Sequence, residues 1–113
     1  MKKFAIALFC GVVSLSATAG GNATLGKEKA VKFNCASCHG ADYKSPIDPS
    51  YPKLAGQHAE YLEHALRSYK RTDGMNLRQH AIMGPLAKQL SNDDMKDIAA
   101  YLSSLPSDLV LKR

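Results

Sequence analysis

The 113-residue chain has no tryptophan, and aromatic residues make up only 7% of it. Its three cysteines are too few for a framework of disulfides between distant segments. The longest apolar run, Phe4 to Val13, is too short to span a bilayer. Charge is not of one sign. The 15 Lys and Arg are dispersed among 10 Asp and Glu, so the net +5 forms no basic block of the kind that tracks nucleic acid. No internal repeat, low-complexity tract or second domain is visible. No segment alternates apolar and polar residues with β-branched enrichment, which excludes a strand-built domain. What remains is a single small all-α domain, near the size at which an apolar core of side chains alone is marginal. Something other than side chains is expected to fill its middle.

The amino terminus reads as an export signal. Lys2 and Lys3 precede the apolar run, and Ala17-Thr18-Ala19 has the small-x-small pattern of a signal peptidase site. Cleavage after Ala19 removes residues 1–19 and leaves a mature chain, 20–113, of 94 residues with formal charge +3. It also removes Cys10, so that Cys35 and Cys38 are the cysteines of the mature chain, and Phe33 is its sole phenylalanine. The expectation is a periplasmic protein with no stable membrane insertion.

Three main helices are expected. Thr24 is read as the cap of the first, which runs through "LGKEKAVKF" with Gly26, Ala30 and Phe33 on one face. Residues 40–56 contain three prolines between Gly40 and Gly56 and read as a long irregular loop, of a length that in so small a domain is functional or wraps something. A middle helix is expected from Gln57 to about Arg71. Its apolar stripe is Tyr61, Leu62, Ala65, Leu66 and Tyr69, while Glu60, Glu63, Arg67 and Lys70 face water. After the irregular "MNLRQHAIMGP" comes a short turn at Leu86 to Gln89. The last helix is capped by Ser91, buries Met95, Ile98, Ala99, Leu102 and Leu105, and stops at Pro106.

The chemistry is concentrated in "FNCASCHGAD", residues 33–42. A structural zinc site needs four ligands, and one cysteine pair with an adjacent histidine does not make them. A thioredoxin-type dithiol would follow a strand in a βαβ pattern, and neither is present. Two thiols three positions apart on a helical turn can instead add to the two vinyl groups of one haem. His39, directly after Cys38, then reaches the iron. This is the c-type haem attachment pattern, and export agrees with it independently.

On these residues the chain resembles the class I c-type cytochromes, and within them the bacterial periplasmic group whose haem domains also occur in tandem dihaem proteins. The likeness covers residues 22–106. It is carried by "CASCHGAD", "YPKLAGQHAEYL", "HAIMGPLAKQLS" and "LSNDDMKDIAAYLSSL". The resemblance implies a small cytochrome c fold around one covalent haem c held through Cys35 and Cys38, with His39 on the iron. It places the sixth ligand at Met83, in the loop before a short helix. Met75 and the histidines His58, His64 and His80 are the other donors, His80 the best of the three because it shares that loop. Met95 belongs to the core. The class also implies a proline carbonyl that accepts from His39, assigned here to Pro49, and a first helix that crosses the last near Tyr101. Leu54, Tyr61, Leu62, Leu66 and Leu86 are candidates for the haem pocket wall, and Lys53, Arg67 and Arg78 for the haem propionates.

The function so implied is that of a monomeric electron-transfer protein, not an enzyme. It would carry one electron from a donor complex or dehydrogenase to an oxidase or reductase, through weak docking on acidic faces of redox partners. Lys44, Lys53, Arg78 and Lys88 are the expected positive rim. Two other readings differ in kind. One is a haem protein with an open sixth site that senses gas or acts like a peroxidase. The other is a fixed electron-entry subunit of a larger redox complex.

Overall fold

The computed structural model describes residues 20–74 and 77–108; the export signal read at 1–19, and Met75, lie outside them. The described residues contain five helices and no strand: α1 (Ala23–Lys32), α2 (Ala36–His39), α3 (Ala59–Lys70), α4 (Met83–Gln89) and α5 (Asn92–Ser104). Among these residues no helix is long and apolar enough to cross a membrane.

The frame is the crossing of α1 and α5. Asn22, not Thr24, caps α1: its side chain accepts the Leu25 N–H at 3.0 Å. Asparagine outranks threonine as a cap, and Asn22 is also tied to α5, donating its own backbone N–H to Asp97 Oδ1 at 2.8 Å. At the crossing itself there is no room for a side chain on Gly26. A Cβ there would lie 1.9 Å from the Asp97 carbonyl oxygen and 2.8 Å from Tyr101 Cβ. Ala30, one turn on, is completely buried. Lys29 closes the contact by pairing with Asp97 at 2.6 Å and Asp94 at 3.0 Å.

Helix α5 begins as its sequence implies. Ser91 and Asp94 form a reciprocal capping box, and Met95, Ile98, Ala99 and Leu102 are buried on one face. Leu105, the last residue of the expected stripe, is the half-buried C-cap, with Pro106 following. Helix α3 packs against α5 and α4 against α3. Helix α3 starts two residues later than expected, at Ala59. Helix α4 starts three residues earlier, at Met83. Pro85 does not prevent this, because the N–H groups of a first helical turn have no intrahelical acceptor and a proline there loses nothing.

The 40–56 loop is irregular but internally bonded. The Asp42 carboxylate accepts the backbone N–H groups of Lys44 and Ser45 and the Ser45 hydroxyl. The carbonyl of the buried Tyr43 accepts from Leu54 and Ala55, and Gly56 N–H reaches the Leu102 carbonyl of α5 at 2.9 Å. Tyr43 also meets Tyr101 edge to face, centroids 5.8 Å apart. The loop is thereby held against α5 while Pro52 and Leu54 face the interior cavity described below.

Candidate functional site

Few large side chains occupy the centre of the domain. Among the described residues Met95 is the one large side chain that is fully enclosed. The space is instead a cavity with about 1270 Å³ of non-atom volume, counting its open mouth. Its wall comes from the α1–α2 turn, the long loop and the helices α2 to α5. The α1–α2 turn contributes Phe33 and Asn34, and the loop contributes Pro52 and Leu54. Tyr61, Leu62, Leu66 and Tyr69 come from α3, Met83 and Leu86 from α4, and Ile98 and Leu102 from α5. Cys35, Cys38 and His39 line the same cavity.

The local chain explains why these three residues meet there. Phe33 ends α1, and Asn34 turns the backbone with φ +56, a value asparagine tolerates better than most side chains. One short turn of helix, α2, then carries both thiols and the imidazole. Gly40, with φ +88 and no space for a Cβ beside the Ser45 carbonyl, sends the chain away. The two cysteines are not joined in a disulfide. Burial pushes the Cys35 thiol up, the reverse of the lowered value a redox dithiol uses. Among the described residues no three His, Cys, Asp or Glu side chains gather as a metal cluster, which leaves the zinc reading without its ligands.

His39 is 7% exposed, and its Nδ1 lies 3.0 Å from the carbonyl oxygen of Pro52. A carbonyl only accepts, so Nδ1 carries the hydrogen and Nε2 keeps a free lone pair. Among the described residues Nε2 has no hydrogen-bond partner. The acceptor expected from sequence, Pro49, is incorrect. Residues 48–51 close a tight turn of their own, in which Asp48 accepts from Ser50 and Tyr51, and the carbonyl that faces His39 Nδ1 is that of Pro52.

The candidate sixth ligands among the described residues, a set that leaves Met75 out, lie in different places. Met83 lines the cavity and is half-buried. Met95 is core, 1% exposed. His58 and His64 are exposed and absent from the cavity wall. His80 is exposed and lies in an outer groove with Arg71, Arg78 and Lys88, where its Nδ1 accepts from the backbone of Ile82 and Met83. Of the wall candidates, Leu54, Tyr61, Leu62, Leu66 and Leu86 all line the cavity. Phe33, Tyr69, Ile82, Leu90, Ile98 and Leu102 do so without having been singled out for it. Ile98 and Leu102 were legible only as core, because one apolar face of α5 serves both purposes.

The cations divide too. Lys53 and Arg78 stand in the cavity wall. Arg67 does not; it is held by Glu63 at 2.6 Å and by Asn92. Lys44 pairs with Asp108 at 3.0 Å and touches neither the cavity nor the outer groove.

An apolar cavity with two thiols in its wall and an oriented imidazole nitrogen that has no hydrogen-bond partner among the described residues fits a covalently attached porphyrin. Comparison with known proteins agrees. Residues 23–106 match the family model described as cytochrome c. Cytochrome c-554(548) of Halomonas halodenitrificans is 42% identical over 85 residues, covering 74% of this chain and 96% of that protein. Cytochrome c4 of Pseudomonas aeruginosa is 44% identical over 88 residues, 78% of this chain but 40% of that one. The crystal structure of reduced recombinant cytochrome c4 from Pseudomonas stutzeri matches with a TM-score of 0.66 and 35% identity. That match covers 76% of this chain and 46% of the other. The chain thus spans nearly all of one relative and less than half of the cytochromes c4.

Proposed function

This chain belongs to the cytochrome c family of electron carriers, with haem c bound covalently through Cys35 and Cys38, and from that premise we propose that it is an exported, diffusing one-electron carrier whose iron is held by His39 and Met83. The haem supplies a single redox-active iron. What the chain supplies is its environment.

The observation that supports this reading most is that Met83 and His39 share one apolar cavity with the two cysteines. A thioether is a soft, neutral donor that favours the ferrous state, and paired with an imidazole it raises the reduction potential. The Pro52 carbonyl fixes the imidazole tautomer and orientation, leaving Nε2 as the donor atom. The leucines of α3, α4 and the loop exclude water and lower the local dielectric. Two ligands retained in both oxidation states would leave little to rearrange when an electron moves.

Donor and acceptor would be redox proteins outside the cytoplasm, a dehydrogenase or membrane complex on one side and an oxidase or reductase on the other. Lys53 and Arg78 at the cavity, with Lys88 in the adjoining groove, make that edge positive and suit an acidic docking face. Lys44, the fourth cation of the expected rim, pairs with Asp108 and stands away from that edge.

The absorption spectrum of the oxidised holoprotein tests the reading. A weak far-red methionine-to-iron band, lost in Met83→Ala, together with slow carbon monoxide binding by the ferrous form, is expected. Rapid carbon monoxide binding by the unaltered protein would instead establish an open sixth site.

A further inference from the structure

Met83 opens α4, and the residue at its formal N-cap, Ile82, offers no side-chain acceptor. The first N–H groups of the helix are nevertheless satisfied. His80 Nδ1 accepts from the backbone N–H of Ile82 at 3.2 Å and of Met83 at 3.3 Å, and the His80 carbonyl accepts from Gly84 at 3.0 Å. One residue therefore receives three consecutive N–H groups, with Met83 in the middle. A histidine does here what Asn or Asp usually does at a helix start.

The His80 ring is itself held. It stands edge-on to Tyr69 of α3, centroids 6.5 Å apart and planes at 82°. Two residues earlier, Arg78 lies over Tyr61 and Tyr69, its guanidinium carbon 5.6 Å from each ring, and its backbone N–H donates to the Ser68 carbonyl at 3.2 Å. Tyr61, Tyr69 and Arg78 all line the cavity. The segment leading into Met83 is thus anchored to α3 by Arg78, then by His80, and His80 passes that anchorage to the Met83 main chain.

We propose that His80 is a positioning residue for the sixth ligand: as the acceptor for the Ile82 and Met83 N–H groups, it holds the first turn of α4 so that the Met83 side chain stays in the cavity wall. This rests on Met83 being the ligand. His80 itself is exposed and lines the outer groove, not the cavity.

The test compares four haem-loaded, mass-verified proteins: the unaltered chain, His80→Ala, His80→Asn and Met83→Ala. Met83→Ala must abolish the far-red band of the oxidised form; if the band survives, the ligand assignment fails, and the role of His80 fails with it. Given its loss, His80→Ala should bind carbon monoxide to the ferrous form roughly fivefold faster, the change in open population expected from losing one helix cap. His80→Asn, whose side-chain oxygen can accept the same N–H groups, should return to within about twofold of the unaltered protein. Equal rates in His80→Ala and the unaltered chain would overturn the proposal while leaving Met83 as ligand. So would equal acceleration in His80→Ala and His80→Asn, because the acceptor would then not be what matters. Hydrogen exchange on the unaltered protein checks the bonds without any substitution. The Ile82 and Met83 amides should be protected, and exchange at free-peptide rates would equally overturn it.

Discussion

His39 Nδ1 and the Pro52 carbonyl oxygen lie 3.0 Å apart, joining the haem-attachment turn to a loop thirteen residues further along. The acceptor is backbone, so no side-chain replacement deletes it; only a change in the path of the loop can. Pro49→Ala should leave the reduction potential and the His39 ring N–H resonance where they are. Pro52→Ala should cost about 0.4–1 kcal/mol of stability through the freer unfolded chain and shift that resonance. A larger resonance shift in Pro49→Ala than in Pro52→Ala would give the acceptor back to Pro49.

Gly26→Ala should be among the most damaging single changes outside the cavity. The added Cβ would meet main-chain atoms of Asp97 at 1.9 to 2.5 Å, and neither helix backbone can yield as a side chain would. Overpacking of a tight contact costs roughly 1–3 kcal/mol and occasionally more, and this case belongs at the upper end. Urea unfolding of the holoprotein should show a lower midpoint at unchanged slope. Gly84→Ala, with nothing within 4 Å of its would-be Cβ, is the control and should unfold near the original midpoint.

The same crossing has an acid limit. Asp97 is held below the usual carboxylate range, chiefly by the Lys29 ammonium and then by the Asn22 N–H. Asp94 is lowered first by the Ser91 N–H. Lys29 is raised by the Asp97 carboxylate and then by Asp94. A depressed carboxylate stabilises the fold above its unfolded value, about 3.9, and that contribution disappears as pH falls through the lower folded value. A raised ammonium stabilises below its unfolded value, about 10.4, and its contribution is lost only as pH rises beyond that. Asp97→Asn should therefore reduce stability at neutral pH and flatten the fall between about pH 4 and the acid end. Added salt should weaken the pair only partly, because Asp97 is nearly buried. An acid limb as steep in Asp97→Asn as in the unaltered chain would remove the pair from the account.

How much was legible in the sequence depended on whether a residue's role was local. Ser91, Asp94 and the α5 stripe followed from capping and periodicity alone, since each acts within one turn of its neighbours. Cys35 and Cys38 are legible because the attachment pattern occupies five consecutive positions, which also carry His39 into the same cavity wall. Helix starts were less so: Asn22 was passed over for Thr24 because its second bond, to Asp97, crosses 75 residues. Pro52 was missed for a related reason. Three prolines share the loop, and only its folded path, fixed by Tyr43 and Gly56, decides which carbonyl faces His39. In sequence alone His80 competes as a ligand, since nothing in "HAIMGP" says that its Nδ1 accepts from the backbone of Ile82 and Met83.

The positive edge of the cavity gives the last prediction. If Lys53 and Lys88 steer an acidic partner, reversing either charge should slow second-order electron transfer roughly tenfold at low salt, and the difference should shrink as ionic strength rises. Lys44→Glu should have a smaller effect, because that side chain lines neither the cavity nor the adjoining groove. Arg78→Glu is the less clean probe, since it also removes the stack on Tyr61 and Tyr69. Stopped-flow oxidation by an acidic redox protein at two or more salt concentrations reads all of these. Equal slowing by Lys44→Glu and Lys53→Glu would mean that net charge, rather than this face, sets the encounter. No dependence on salt in the unaltered protein would mean that the encounter is not electrostatic at all.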